Sequence, residues 1–220
     1  MASSFVEEGI EILKIIEKYF PKRFDGKECI SWLHQYSSQK KQDEWAGFFF
    51  EEYCFSLITR FLGGWKGPRI TSGKRFDYQR NFVWDLKIEA NKTNSGKKTQ
   101  WIPLNDIKAT KRVVENELGI GYIIANADFT YDTNGVLRKW RNELEEKTTS
   151  SKNARVLKKH GHIADLTAVF IQNKKQLDRG IKEGWMGIFN QGKNIGGKAR
   201  KPKYQIRIDK VPDEFIIKLQ

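Results

Sequence analysis

Apolar residues recur at helical spacing from Phe5 to Tyr19, at Ile10, Leu13, Ile16 and Tyr19, and that spacing predicts a helix with one buried face. Pro21 ends it, because proline neither donates to a helix nor fits inside one. A second helix is predicted from Asp43 through EWAGFFFEEYCFSLITRF to Gly63-Gly64. It is apolar around much of its circumference, which predicts deep burial. After loop signals at Gly67-Pro68 and Ser72-Gly73, the stretch KRFDYQRNFVWDLKIEANKT alternates like two short strands turning near Arg80-Asn81. A third strand is expected at residues 99–103. Asn105 or Asp106 then caps a helix, DIKATKRVVENEL, which ends at Gly119.

IGYIIANADF reads as a buried strand. Beyond a turn at residues 132–135 come a charged helix, VLRKWRNELEEK, the strand HIADLTAVFIQ and a short helix at residues 175–182. A Gly/Lys-rich stretch, QGKNIGGKARKPK, precedes a last strand, YQIRI, and no internal repeat is visible. The order helix, three strands, helix, strand predicts an α/β fold, a central mixed β-sheet flanked by helices. A chain of 220 residues fits a single domain. Within 1–220 we expect an N-terminal helical part (1–40), a central part carrying the chemistry (41–130) and a C-terminal part (131–220).

Composition narrows the partners. Lys and Arg number 40 against 27 Asp and Glu, a formal net charge of +13. So basic a chain favours a polyanionic partner, because phosphate contacts release condensed counterions. Cys29 and Cys54 belong to no CxxC or Cys/His cluster, so no zinc site is expected, and Cys54 lies on an apolar run as a core filler. The opening MASSFVEEGIEILKII carries early acids and no basic run, so no signal peptide is expected. No apolar run approaches the roughly 20 residues of a membrane span. The expectation is a soluble, cytoplasmic protein.

The candidate chemistry lies on residues 82–90. Alternation along a strand puts Trp84, Leu86 and Ile88 on one face and Asp85, Lys87 and Glu89 on the other. If the preceding turn centres on Asn81, Asp77 lies opposite Asp85, and directly opposed residues have Cβ atoms about 4.5–5.5 Å apart. Two carboxylates so close repel unless one is protonated or a cation joins them. Mg²⁺ suits the site, since it typically takes one or two carboxylates plus waters and phosphate oxygens. Lys87 beside the ion can orient a water and neutralise charge developing on phosphate. Together these groups describe metal-assisted phosphodiester hydrolysis. The bland alternative is a solvated strand face with a cross-strand ion pair.

Asp77, seven intervening residues, then Asp85-Leu86-Lys87 resembles the signature of the PD-(D/E)XK nuclease superfamily, and FVWDLKIEA resembles the catalytic strand of type II restriction endonucleases. The resemblance spans residues 43–128 and departs from the pattern at one point, since Phe76, not proline, precedes Asp77. The stretch Trp45-Ala46-Gly47-Phe48-Phe49-Phe50-Glu51 resembles the G-x-x-x-E helix of restriction enzymes related to the mismatch-repair nuclease MutH. The resemblance implies a restriction-endonuclease-like core and a sequence-specific double-stranded DNA endonuclease of a restriction-modification system. It implies Mg²⁺ as cofactor, with Mn²⁺ as a substitute. Asp77, Asp85 and the Leu86 backbone carbonyl would hold the ion, and Glu51 would assist. Glu52 is the rival, because one helical step turns a side chain by about 100°. Such enzymes are commonly homodimers on two-fold symmetric DNA, and a monomer of the MutH branch is the alternative.

Lys74, Arg75, Arg80, Lys97 and Lys98 are candidate phosphate contacts near that strand. Lys193, Lys198, Arg200, Lys201 and Lys203, set among glycines, could form a DNA-contacting arm or a plain solvated loop. His160 and His162 could touch base edges or phosphate, or be ordinary loop histidines, and Asp165 is as ambiguous. Glu89 is a further site acid or a salt-bridge partner, the second being preferred. Trp101, Trp140 and Trp185 are expected to pack rather than stack on bases. Besides a restriction enzyme, the sequence allows a repair or junction-resolving nuclease of the same fold, or a non-catalytic DNA-binding protein.

Overall fold

The protein is described by a computed structural model, which covers residues 4–39, 42–71, 74–116, 119–147, 155–192, 197 and 199–219. Helix α1 (Phe5–Tyr19) opens on a capping box in which Ser4 and Glu7 satisfy each other's backbone N–H groups. The short strand β1 (Arg23–Asp25) runs straight into helix α2 (Gly26–Tyr36), where Asp25 accepts from the amides of Lys27 and Glu28. Helix α3 (Trp45–Leu62) ends at Gly63, whose φ is 73°. The small ribbon of β2 (Arg69–Thr71) and β3 (Lys74–Arg75) leads to the hairpin of β4 (Tyr78–Gln79) and β5 (Val83–Ala90). Then follow β6 (Ile102–Asp106), α4 (Ile107–Asn116), β7 (Ile120–Tyr131) and α5 (Val136–Leu144). The chain continues through β8 (Lys158–Ile171), α6 (Lys174–Glu183), β9 (Met186–Phe189), β10 (Lys203–Ile206) and β11 (Ile216–Ile217).

The central sheet has the order β1-β8-β7-β5-β4, with β11 also pairing β8. It is mixed: β5 runs parallel to β7, while β4–β5, β7–β8 and β1–β8 are antiparallel. Both faces of β5 and of the first half of β7 are covered; β7 is apolar there, as a doubly covered strand should be, whereas β5 carries Asp85, Lys87 and Glu89 on one of its faces. The third predicted strand forms, at residues 102–106, but lies outside this sheet. β6 pairs with β10, and β10 with β9, in a separate three-stranded sheet. The sequence reading also missed β1, α2 and β9 and began β8 too late.

Trp84 fixes the hairpin to the rest of the molecule. Its ring is wedged between Gly121 and Gly9, and a Cβ on either glycine would lie 3.0 Å or less from it. Its indole N–H donates to Glu8 of α1 at 2.9 Å. The same Glu8 carboxylate accepts from the Asn81 amide (3.2 Å), the Asn81 side chain (2.6 Å) and the Phe82 amide (3.4 Å). Glu8 is fully buried, and three donors from the turn together with the Trp84 indole meet the cost of burying its charge. Elsewhere the buried Arg141 of α5 reaches Glu145, Asp43 and the Gln42 carbonyl, tying α5 to the residues ahead of α3. No described helix is long and apolar enough to cross a membrane.

Candidate metal centre on strand β5

The hairpin register pairs Tyr78 with Trp84 and Gln79 with Val83. One step outward, the same register sets Asp77 against Asp85, as a turn centred on Asn81 predicts. Asp77 is anchored by accepting the Leu86 N–H at 2.8 Å. Asp85 is only 1% exposed and Asp77 8%, which removes the reading of a solvated strand face.

Lys87, two residues on and therefore on the same side of β5, forms an ion pair with Asp85 Oδ2. Helix α3 supplies the third acid. Glu51 Oε1 lies 3.9 Å from Lys87 Nζ, whereas Glu52 turns to Lys66 at 3.8 Å. One helical step thus separates the acid at the site from the acid beside it. Asp77, just ahead of β4, Asp85 and Lys87 of β5, and Glu51 of α3 are brought together.

Three carboxylates around one ammonium leave a negative excess in a poorly solvated place. Burial, followed by the Asp85 and Glu51 charges, pushes Asp77 well above the usual carboxylate range. Burial raises Glu51 to about 6, with Lys87 opposing the rise. Burial alone would lower Lys87, but Asp85, Glu51 and Asp77 outweigh it and hold the amine charged. At neutral pH Lys87 is therefore an ammonium, suited to orienting and neutralising rather than to taking a proton.

A residue missed in the sequence completes the surroundings. Asn105, at the end of β6, donates from Nδ2 to Asp85 Oδ1 at 2.9 Å. The helix cap expected of Asn105 or Asp106 falls to Asp106, which accepts the Ala109 N–H at 3.0 Å. The only sequence hint was two cap-competent residues in a row where one suffices. Tyr122, the β7 partner of Asp85, and Thr110 of α4 are also buried on this side.

The donor set suits a hard divalent cation. It is all oxygen, two of its carboxylates are close enough for the charge of Asp85 to act on Asp77, and Asn105 Oδ1 is buried without a hydrogen-bond partner. Among the described residues no three His, Cys, Asp or Glu side chains close into a complete ligand cluster. An ion held here would rely on one or two carboxylates with waters or phosphate oxygens, as Mg²⁺ commonly does.

The basic candidates scatter more widely. Lys74 and Arg75 are exposed in β3, close to Asp77 in the chain, and Arg75 also donates to the Gly67 carbonyl. Lys203 of β10 is half-buried and lowered by burial and then by Lys87 and Lys74, which puts it beside the site. Arg80 is paired with Glu11 of α1 at 2.9 Å. Lys97 and Lys98 are exposed in the loop after β5, and Arg200 and Lys201 are exposed ahead of β10. Lys193 and Lys198 lie outside the described residues.

His160 and His162 sit elsewhere. His162 pairs with Asp128 and Asp85 with Tyr122, a separation of six residues along β7, or about 20 Å at about 3.3 Å per residue. His160 instead contacts Asp25 at 2.9 Å. Glu89 is raised by burial, with Lys158 and then Lys87 as the nearest opposing charges. Trp185 is buried, as expected of a packing residue, and Trp101 lies under Arg207. Comparison of the chain with protein-family models, with curated proteins and with solved structures gives no match.

Proposed function

We propose that this protein is a Mg²⁺-dependent DNA endonuclease of the PD-(D/E)XK type, acting as a type II restriction enzyme. The observation that carries the reading is the buried opposition of Asp77 and Asp85 with Lys87 paired to Asp85. A structural ion pair does not need a second buried carboxylate facing the first.

In this reading Asp77 and Asp85 hold the ion, and Glu51 binds a second ion or its water. A bound Mg²⁺ polarises the phosphoryl group and acidifies its water. Lys87, kept charged by its acid neighbours, orients the attacking water and offsets the negative charge that grows on the phosphate. Lys74, Arg75 and Lys203 take neighbouring phosphates. Residues 131–220, which carry much of the remaining basic charge, provide base recognition, and a homodimer would match a two-fold symmetric site. The charge of +13 supports a polyanionic substrate.

Digestion of a long DNA of known sequence, in Mg²⁺ and in chelator, tests the proposal. Discrete fragments with constant ends, lost in chelator and lost in Asp85→Ala and Lys87→Ala with DNA binding retained, are expected. Cleavage of branched DNA alone would assign a repair or junction-resolving role. Binding without cleavage in any divalent ion would overturn the nuclease reading.

A further inference from the structure

We infer that Asn105 is the positioning residue of this site, aiming Asp85 at the ion and accepting a hydrogen bond from a water in the ion's shell. The inference rests on the metal-dependent reading above. Asn105 Nδ2 donates to Asp85 Oδ1 at 2.9 Å. An ionised carboxylate only accepts, so this contact fixes which end of the amide faces Asp85. Asn105 Oδ1 must then face away from that oxygen, and it is buried with no hydrogen-bond partner.

The residue is only 8% exposed, and its backbone is held on both sides by the pairing of Pro103 and Asp106 with β10. Asp106, the next residue, pairs with Lys203 of β10 and caps α4. The amide is thus mounted on rigid structure, released from capping, and satisfied at one end only. A residue kept for packing alone would not retain a buried amide with an idle oxygen. One kept for a hydrated cation would, because the missing partner arrives with the ion.

The arrangement divides the labour at Asp85. Its Oδ1 is committed to Asn105, which sets the plane of the carboxylate. Its Oδ2 faces Lys87 and is the oxygen left for an ion. Groups that orient a metal ligand in this way typically contribute 10–100-fold in metal affinity.

The test is a Mn²⁺ titration followed by electron paramagnetic resonance, with protein held in excess over the chelating capacity of the buffer. It compares the wild-type chain with Asn105→Ala and with Asn105→Leu, the latter retaining most of the volume. Melting curves on each sample establish the folded fraction. The expected result is Mn²⁺ binding by the wild type that weakens roughly 10–100-fold in both folded variants. Variants that fold and bind Mn²⁺ within about twofold of the wild type, well below that range, would overturn the role of Asn105 and leave the metal site standing. A wild-type chain that binds no Mn²⁺ would overturn the ion reading itself, and the inference with it.

Discussion

Strand β5 separates two buried acidic centres that solve the same electrostatic problem in opposite ways. On the Trp84 side, Glu8 is fully buried and takes four hydrogen bonds from the hairpin turn and the indole. On the Asp85 side, Asp77, Asp85 and Glu51 share one lysine, one backbone amide and one amide side chain. The first centre is complete within the protein. The second carries more negative charge than its surroundings compensate, and Asp77 and Glu51 are pushed upward, by burial first and by the neighbouring acids in addition. Burial alone therefore does not mark a functional acid. The distinguishing feature is a carboxylate cluster whose compensation is missing and whose geometry is nevertheless held in place, here partly by Glu8 on the other face.

The comparison can be broken most forcibly at Glu8. Glu8→Ala leaves the Trp84 N–H and the Asn81 and Phe82 donors without their acceptor. Equilibrium unfolding in urea is expected to show a loss of about 3–5 kcal/mol. A loss under about 1 kcal/mol would mean the turn is not held by this acid.

In the opposite centre, removing the lysine should remove activity, and removing an acid should spare stability. Lys87→Ala is expected to slow DNA cleavage about 10²–10³-fold in a plasmid-nicking assay, with the affinity for DNA little changed in a filter-binding measurement. Asp77→Asn should stabilise the ion-free protein on the order of 1 kcal/mol, since it deletes a buried charge while keeping an acceptor for the Leu86 amide. Melting temperature in chelator reads this directly, and a fall would place Asp77 with Glu8 as a structural acid.

The smallest expected effect is on pH dependence. Glu51 has its folded pKa raised from 4.5 to about 6, so the folded state binds this proton more tightly than the unfolded chain does. Its contribution to stability is fully present below pH 4.5 and is lost as pH rises through about 6. Without divalent ions, the stability of the wild type relative to Glu51→Gln should decline across that window and flatten above it. A difference that stays constant with pH would remove Glu51 from the charged cluster.

The local parts of this site were legible because their geometry is local. Asp77 and Asp85 are joined by a tight hairpin, so alternation and a turn centre at Asn81 suffice to set them opposite each other. Glu51 and Glu52 could not be separated, because the helix around them is apolar on most sides and only the packing of α3 against β5 selects Glu51. Glu8 looked like an ordinary acid in a first helical turn, and its partners lie 73 to 76 residues away. Asn105 was hidden by its neighbour, since either residue could cap α4. The third strand went to the wrong sheet for a related reason: its partner β10 is supplied by residues 203–206. Helix α2 did carry a signal in the Asp25 cap followed by Cys29, Ile30 and Leu33 at one face.

The central claim, that the acids opposite Glu8 form an incomplete centre awaiting a divalent cation, is tested most directly by thermal melting with and without Mg²⁺. A ligand that binds only the folded state raises the melting temperature. Mg²⁺ should raise that of the wild-type chain and leave that of Asp85→Asn unmoved. No shift in the wild type, or an equal shift in both proteins, would contradict it.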